Sequence, residues 1–361
     1  MPASTPTHET PKPDTAPPGT SWPTLAELHE RAVVISLPMR VTFRGVNHRE
    51  MMLFPGPAGW GEFGAFPEYD DEEAAHWLAN GLEMAWDGPP TTVRTHIPVN
   101  GTIPALNAVT QQHTIRRLVQ QDFAGVRTFK IKVAERGQSW ADDVARVALV
   151  HHYAPTARLR VDANMGWTVA EARDILPRIV EAAGGSDIFD YAEQPCRTVP
   201  ELVELHEALA GSIPLAADES IRRAADPLRV IEAGAVDRVV VKAAPLGGPR
   251  ALLRLATHIP YPLTVSSALD SAVGMNAGLA AAAALPTVAD CGLGTGSFFT
   301  VDVCEPHQLA DGQLPYRLAT PDPARLEELR APVEREQWWR ERLERCYPLA
   351  KRLANTVTSP C

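Results

Sequence analysis

The feature that most constrains this chain is a repeating interval between polar residues that end short apolar stretches. Lys132, Asp162, Glu193, Asp218, Lys242 and Ser266 close six such stretches, and successive members lie 30, 31, 25, 24 and 24 residues apart. One strand, one helix and two short connections take up about 30 residues, so each interval is the size of one βα unit. With one stretch before the series and one after it, the strand candidates are THIPVNG, TFKIKV, RLRVDAN, FDYAEQP, PLAADES, RVVVKAAP, PLTVSSAL and ADCGLGTG. Eight βα units predict an α/β fold closed into a (β/α)8 barrel, which carries its active site at the C-terminal ends of the strands. No sequence motif recurs with this period, so the repeat is architectural and not that of a solenoid. A doubly wound open sheet would bring a GxGxxG or Walker loop after an early strand, and neither is present.

The barrel is expected over 91–314. Ahead of it, 24–90 reads as a small α+β unit, with Val33–Leu37 and Met51–Phe54 as strands and Glu72–Trp86 as an amphipathic helix. The glycine-rich GWGEFGAF of Gly59–Phe66 reads as a turn between extended pieces. Behind the barrel, 315–361 is charged and helical and is expected to pack back on the first unit. Residues 1–23 hold seven prolines and almost no large apolar side chains, without the basic start and apolar stretch of a signal peptide, and read as a disordered tail.

Composition removes whole classes of function. Lys and Arg number 34 against 44 Asp and Glu, a formal charge of −10, and no basic stretch is long enough to follow a phosphate backbone. Nucleic acid is not an expected partner. The longest apolar region, Gly278–Ala289, is mostly alanine, includes Pro286 and falls short of the ~20 residues a membrane span requires, so no membrane partner is expected. Five scattered cysteines without a CxxC fit a reduced, cytoplasmic setting.

Alternation along a strand puts residues two apart on one face. Lys130 and Lys132 therefore point the same way, as do Asp162 and Asn164. Taken singly, a carboxylate after a strand is often the cap of the next helix, and a lysine is usually a solvated surface charge. Three carboxylates (Asp162, Glu193, Asp218) at three consecutive strand ends, flanked by lysines on the strands before and after, make a set that accident rarely produces. In a barrel these groups converge. Carboxylates facing one point repel unless a cation neutralises them, and an oxygen-only set suits Mg²⁺, with Mn²⁺ as a substitute, better than zinc. The metal and a second ammonium would lower a lysine pKa toward that of a base. A lysine on each side of a metal-held carboxylate substrate is an arrangement for removing the proton beside that carboxylate. Asn164 is positioned to orient the metal's surroundings.

KxK at Lys130 and Lys132, DxN at Asp162, EQP at Glu193, DES at Asp218 and VK at Lys242 resemble the enolase superfamily, in its muconate lactonizing enzyme-like subgroup. The resemblance runs from about Leu25 to the C-terminal region. It implies a modified (β/α)8 TIM barrel behind an N-terminal α+β capping domain, with Mg²⁺ on Asp162, Glu193 and Asp218. Lys130, Lys132 and Lys242 would be the catalytic lysines. Lys132 would be the base, Lys242 the charge on the opposite face, and Lys130 the group that tunes Lys132. KAAPLGG (Lys242–Gly248) and VSSALDSAVG (Val265–Gly274) are most similar to the o-succinylbenzoate synthases in their actinobacterial form. That implies a lyase removing water from a small carboxylate substrate in menaquinone biosynthesis.

Dipeptide epimerases of the subgroup carry an acidic DxD at the end of the eighth strand, where this chain has GLGTGS (Gly292–Ser297). Gly294 in that loop, Ser266 and Ser267 at the seventh strand end, and Arg44 in the capping unit are the substrate-binding candidates. The plainer readings are a tight turn for the glycines, helix caps for the serines and a solvated surface charge for Arg44. Arg40 and His48 share the capping unit with Arg44, and His151 and His152 read as structural. Two rivals stay open: N-succinylamino acid racemisation, dipeptide epimerisation or cycloisomerisation on the same scaffold, and a non-catalytic barrel that binds without turnover.

Overall fold

A computed structural model describes residues 22–43, 46–222, 227–260 and 262–356. The first strands are β1 (Val33–Phe43), β2 (Val46–Gly56) and β3 (Gly59–Phe63), an antiparallel sheet in the order β1-β2-β3. GWGEFGAF is therefore a strand in its first half and not a turn. Its glycines serve close approach: a Cβ on Gly61 would lie 2.1 Å from the carbonyl oxygen of Gly81, in the helix Asp71–Leu82 that packs across the sheet. That helix is capped by Asp70, whose side chain accepts from the Glu73 amide, and it loosens into a wider turn at Glu83–Asp87.

The next strands are β4 (His96–Pro98), β5 (Gly101–Ile103), β6 (Thr128–Lys132), β7 (Arg158–Asp162), β8 (Phe189–Glu193), β9 (Leu215–Ala217), β10 (Arg238–Val241), β11 (Thr264–Val265) and β12 (Gln313–Pro315). Strands β5 to β11 form one parallel sheet in sequence order. The eighth position is filled by the stretch around Cys291. Gly292 donates to the Val265 carbonyl (2.8 Å) and Cys291 to that of Pro98 (2.8 Å), while Asn100 returns a bond to Cys291 (2.9 Å), which closes the barrel. THIPVNG divides its work: β4 pairs antiparallel with β12, and the barrel strand proper begins only at Gly101.

Helices follow the strands on the outside, and Ser139, Thr168 and Thr198 start three of them with reciprocal capping boxes. Asp162 and Glu193 are thus spared the capping role that would have been their ordinary one. The alanine-rich helix Met275–Ala284 is buried on every side, and the Asn276 side chain bonds the backbone of Ala319 in both directions. Among the described residues no helix is long and apolar enough to cross a membrane.

Among the described residues two large apolar cores result, one between barrel and helices, the other between the β1–β3 sheet, the Asp71–Leu82 helix and the C-terminal helix Val333–Thr356, beside a small cluster of Tyr191, Ala216 and Val240. Arg342 of that last helix is 1% exposed and donates to the carbonyls of Ala65 (3.1 Å), Phe66 (3.0 Å) and Tyr69 (2.7 Å).

Candidate active site

The polar strand ends meet over the C-terminal mouth of the barrel. Register alone makes neighbours of three of them: Lys132 pairs with Asp162, and Asp162 with Glu193. Lys130 and Lys132 lie on the second barrel strand and Lys242 just beyond the sixth, so they face each other across a closed ring of eight. All six ionisable groups are nearly or fully buried.

Lys130 Nζ donates to Glu193 Oε1 (3.1 Å) and Oε2 (3.2 Å) and lies 3.2 Å from Asp162 Oδ2. Lys132 Nζ bonds Asp162 Oδ2 (2.5 Å) and Asn164 Oδ1 (2.6 Å). Lys242 Nζ meets both oxygens of Asp218 at 2.5 Å. Each of the three carboxylates faces an ammonium, and among the described residues no group of three His, Cys, Asp or Glu side chains is placed to hold one ion. Three ammonium charges neutralise three carboxylates in a place where any unpaired charge would be costly.

The electrostatics are uneven. Burial disfavours charge on Lys130, but Glu193 and Asp162 outweigh it and hold its pKa above the ordinary lysine range. Burial also pushes Asp162 upward, yet Lys132 and Lys130 overcome it and keep the carboxyl far below its usual range. Burial, then the charge of Asp162, push Glu193 up to about 7 against the pull of Lys130. Three buried carboxylates make an all-oxygen donor set, and that chemistry fits a hard divalent cation.

Asn164 lies just beyond the end of β7, beside Asp162 and Lys132. Its amide N–H donates to Asp162 Oδ1 (3.1 Å), and its side chain joins Lys132 to Glu219 Oε1 (3.3 Å). Gln194, the middle residue of EQP, escaped sequence reasoning as an individual. Its Oε1 accepts from the backbone of Asp218 and Ser220 (both 3.1 Å), and its Nε2 donates to Ser220 Oγ (2.8 Å) and the Cys196 carbonyl (3.0 Å). Asn164, Met165 and Gln194 take φ values of 44°, 66° and 40°, left-handed backbone that non-glycine residues adopt sparingly and that gathers at functional sites.

A cleft of about 560 Å³, solvent at its mouth included, opens over these groups. Ser266 and Ser267 line it, and Ser267 Oγ bonds Thr295 Oγ1 at 2.6 Å. From the eighth strand end, Gly292 and Thr295 reach the cleft, whereas Gly294 lines an adjoining one. Gly294 is thus set apart from Ser266 and Ser267. Phe66, Tyr69 and Trp77 of the N-terminal unit form an aromatic wall that no barrel periodicity could have announced. Arg44 lies outside the described residues, as do 1–21 of the proline-rich segment. Arg40 donates to the Phe299 carbonyl (2.8 Å), His48 is exposed, and His151 and His152 sit on the outer helix Trp140–Tyr153.

The chain matches the family model of the enolase N-terminal domain over residues 34–85 and that of the enolase C-terminal domain over 114–317. It is 51% identical over 328 residues to an o-succinylbenzoate synthase of Mycobacterium tuberculosis, covering 91% of this chain and 97% of that one. Its identity to an o-succinylbenzoate synthase of Mycobacterium ulcerans is 50% over 330 residues, with the same coverage. Among solved structures, muconate lactonizing enzyme from Pseudomonas fluorescens superposes with a TM-score of 0.69 at 20% identity, over 83% of this chain and 98% of that one. An N-succinyl Arg/Lys racemase from Bacillus cereus gives 0.66 at 17%, over 83% and 97%. The chain belongs to the enolase superfamily.

Proposed function

We propose that this enolase-superfamily chain is an o-succinylbenzoate synthase. It is a hydro-lyase that converts 2-succinyl-6-hydroxy-2,4-cyclohexadiene-1-carboxylate to o-succinylbenzoate in menaquinone biosynthesis, in the cytoplasm. The mycobacterial relatives support the substrate; the opposed lysines, supported by three buried carboxylates, carry the chemistry. The division of labour follows the two cores, with 91–314 supplying the reacting groups and 24–90 with 315–361 supplying the cover.

Superfamily members depend on a divalent metal, and Mg²⁺ held by Asp162, Glu193 and Asp218 would supply positive charge to the substrate's carboxylate oxygens. Lys132 takes the proton from the ring carbon that bears the carboxylate, and the C–H electrons pass into the carboxylate as an enediolate. Lys242, across the barrel, answers that developing charge from the other face. The C–O bond to the neighbouring hydroxyl then breaks, the Lys132 ammonium returns its proton, and water leaves. Lys130 sets the charge around Lys132. Ser266 and Ser267 offer hydroxyls to the distal carboxylate or acyl group, with Thr295 holding Ser267 in place.

The substrate class follows from what the strand ends lack. No acidic pair stands at the eighth strand end, so a free ammonium brought there would be desolvated without a counter-charge. Kinetics on three classes test the reading. The cyclohexadiene acid is expected to be dehydrated with the highest kcat/KM, N-succinyl amino acids to react weakly, and dipeptides with a free amino terminus to be inert. A dipeptide epimerised faster than the cyclohexadiene acid is dehydrated would overturn the assignment and leave the shared proton abstraction standing.

A further inference from the structure

Two segments singled out in the sequence, GWGEFGAF and VSSALDSAVG, meet away from the reacting groups. Glu62, on the capping sheet strand β3, reaches the turn that follows β11: its Oε2 accepts from the Ser271 amide (3.1 Å) and from Ser271 Oγ (2.5 Å). Glu62 and Ser271 are 5% and 0% exposed. Ser271 Oγ in turn accepts the amides of Val273 and Gly274 (both 3.2 Å). The same turn is tied at both flanks, Ala268 to Asp270 (3.0 Å) and Ala272 to Asp302 (3.0 Å). Between these ties Leu269 is held at φ 60°, a conformation a branched apolar residue does not keep unaided. Ser267, Ala268 and Leu269 are the seventh-strand wall of the reaction cleft.

The fit is close. A Cβ on Gly274 would lie 2.2 Å from Glu62 Oε1, although its own backbone, at φ −63°, would accept any residue. A buried carboxylate from one unit thus threads against the backbone of another, at the turn whose shape decides how the cleft is walled. On the cap side, Glu62 lies four residues before Phe66, which belongs to the aromatic wall of the same cleft.

We infer that Glu62 is a positioning residue: through Ser271 it sets the Ala268–Leu269 wall against the cap's aromatic wall, adding a directional tie to the apolar core that the two walls share. It touches neither the reacting atoms nor the carboxylate–lysine set. The inference rests on the cleft being the substrate site.

The experiment compares Glu62→Ala, Glu62→Gln and Gly274→Ala with the unaltered chain. It reads KM and kcat on the cyclohexadiene acid, Mg²⁺ affinity by calorimetry without substrate, and amide hydrogen exchange of the peptide spanning 266–275. Glu62→Ala should raise KM roughly tenfold and speed that peptide's exchange to a similar degree, with kcat changed less. Mg²⁺ affinity should stay within about threefold, since the carboxylate set lies on other strands. Glu62→Gln keeps an oxygen that accepts from Ser271 and should return both readouts to near their starting values. Gly274→Ala, by displacing the carboxylate, should move them in the direction of Glu62→Ala. Unchanged KM and exchange in a folded Glu62→Ala protein would overturn the inference, as would an equal loss in Glu62→Gln or a parallel collapse of Mg²⁺ affinity. If the unaltered chain turns over none of the substrate panel, the functional reading fails. The exchange data then decide the positioning claim by themselves.

Discussion

Glu83 offers a test in which two large effects oppose each other and the structure says which one wins. It sits at the end of the Asp71–Leu82 helix, is 2% exposed, and its Oε1 accepts from the Arg250 amide (3.1 Å) and guanidinium (3.2 Å). Breaking a buried ion pair usually costs 3–5 kcal/mol, so replacing Glu83 would ordinarily be expected to destabilise. Burial nevertheless outweighs Arg250 here and pushes the carboxyl from 4.5 up to about 7. A raised folded pKa means that the group's contribution is fully present below pH 4.5 and is lost as pH climbs through 7. At about 1.4 kcal/mol per pH unit, that interval corresponds to an upper limit of roughly 3 kcal/mol. Gln at this position keeps the acceptor and has no charge to lose. In urea unfolding from pH 4.5 to 8.5, Glu83→Gln should gain on the unaltered chain by up to that amount as pH rises, with the change centred between the two values. A difference that moves the other way, the unaltered chain gaining with pH, would mean that Arg250 outweighs burial and would refute the reasoning.

Three further outcomes are expected. Activity should vanish in EDTA and return with Mg²⁺ or Mn²⁺, and Asp218→Asn should weaken Mg²⁺ binding in calorimetry while circular dichroism stays that of a folded protein; full turnover by metal-free protein would contradict the proposed site. Lys132→Ala should lose both turnover and exchange of the substrate's α-proton with deuterated solvent, and Lys242→Ala should be inactive through lost charge stabilisation. Rapid exchange surviving in Lys132→Ala would move the base to Lys130, whose ammonium is near the same carboxylates. Gly61→Ala should cost about 1–3 kcal/mol of stability and so lower the urea midpoint, since the new methyl meets the Gly81 carbonyl at 2.1 Å and backbone must yield; an unchanged midpoint would show the helix free to shift.

What could be read in the sequence was whatever repeats with the backbone's own geometry. The interval between strand ends betrayed the barrel because every βα unit needs a similar length of chain. Alternation placed Lys130 with Lys132, whose ammonium groups both meet Asp162; Asn164, expected on the same strand face as Asp162, lies beyond the strand end in left-handed backbone, and a turn brings it back to Asp162. Contacts between units obey no such period. Phe66 and Tyr69 line the cleft on a segment whose carbonyls are held by Arg342, more than 250 residues further along, and Trp77 packs edge-on against Phe66. Glycine misled in one direction: GWGEF looked like a turn, whereas Gly61 is there because a helix backbone lies where its side chain would be. Three carboxylates and three lysines read in the sequence as a metal site with bases beside it, and in the structure the same six charges form a set of ion pairs, a pairing that burial makes obligatory when nothing else supplies charge. On the proposed reading, a cation held by these carboxylates would have to displace ammonium groups from them. Freeing Lys132 from Asp162 would then also arm it as the proposed base, since an ammonium clamped to a carboxylate at 2.5 Å cannot act as one.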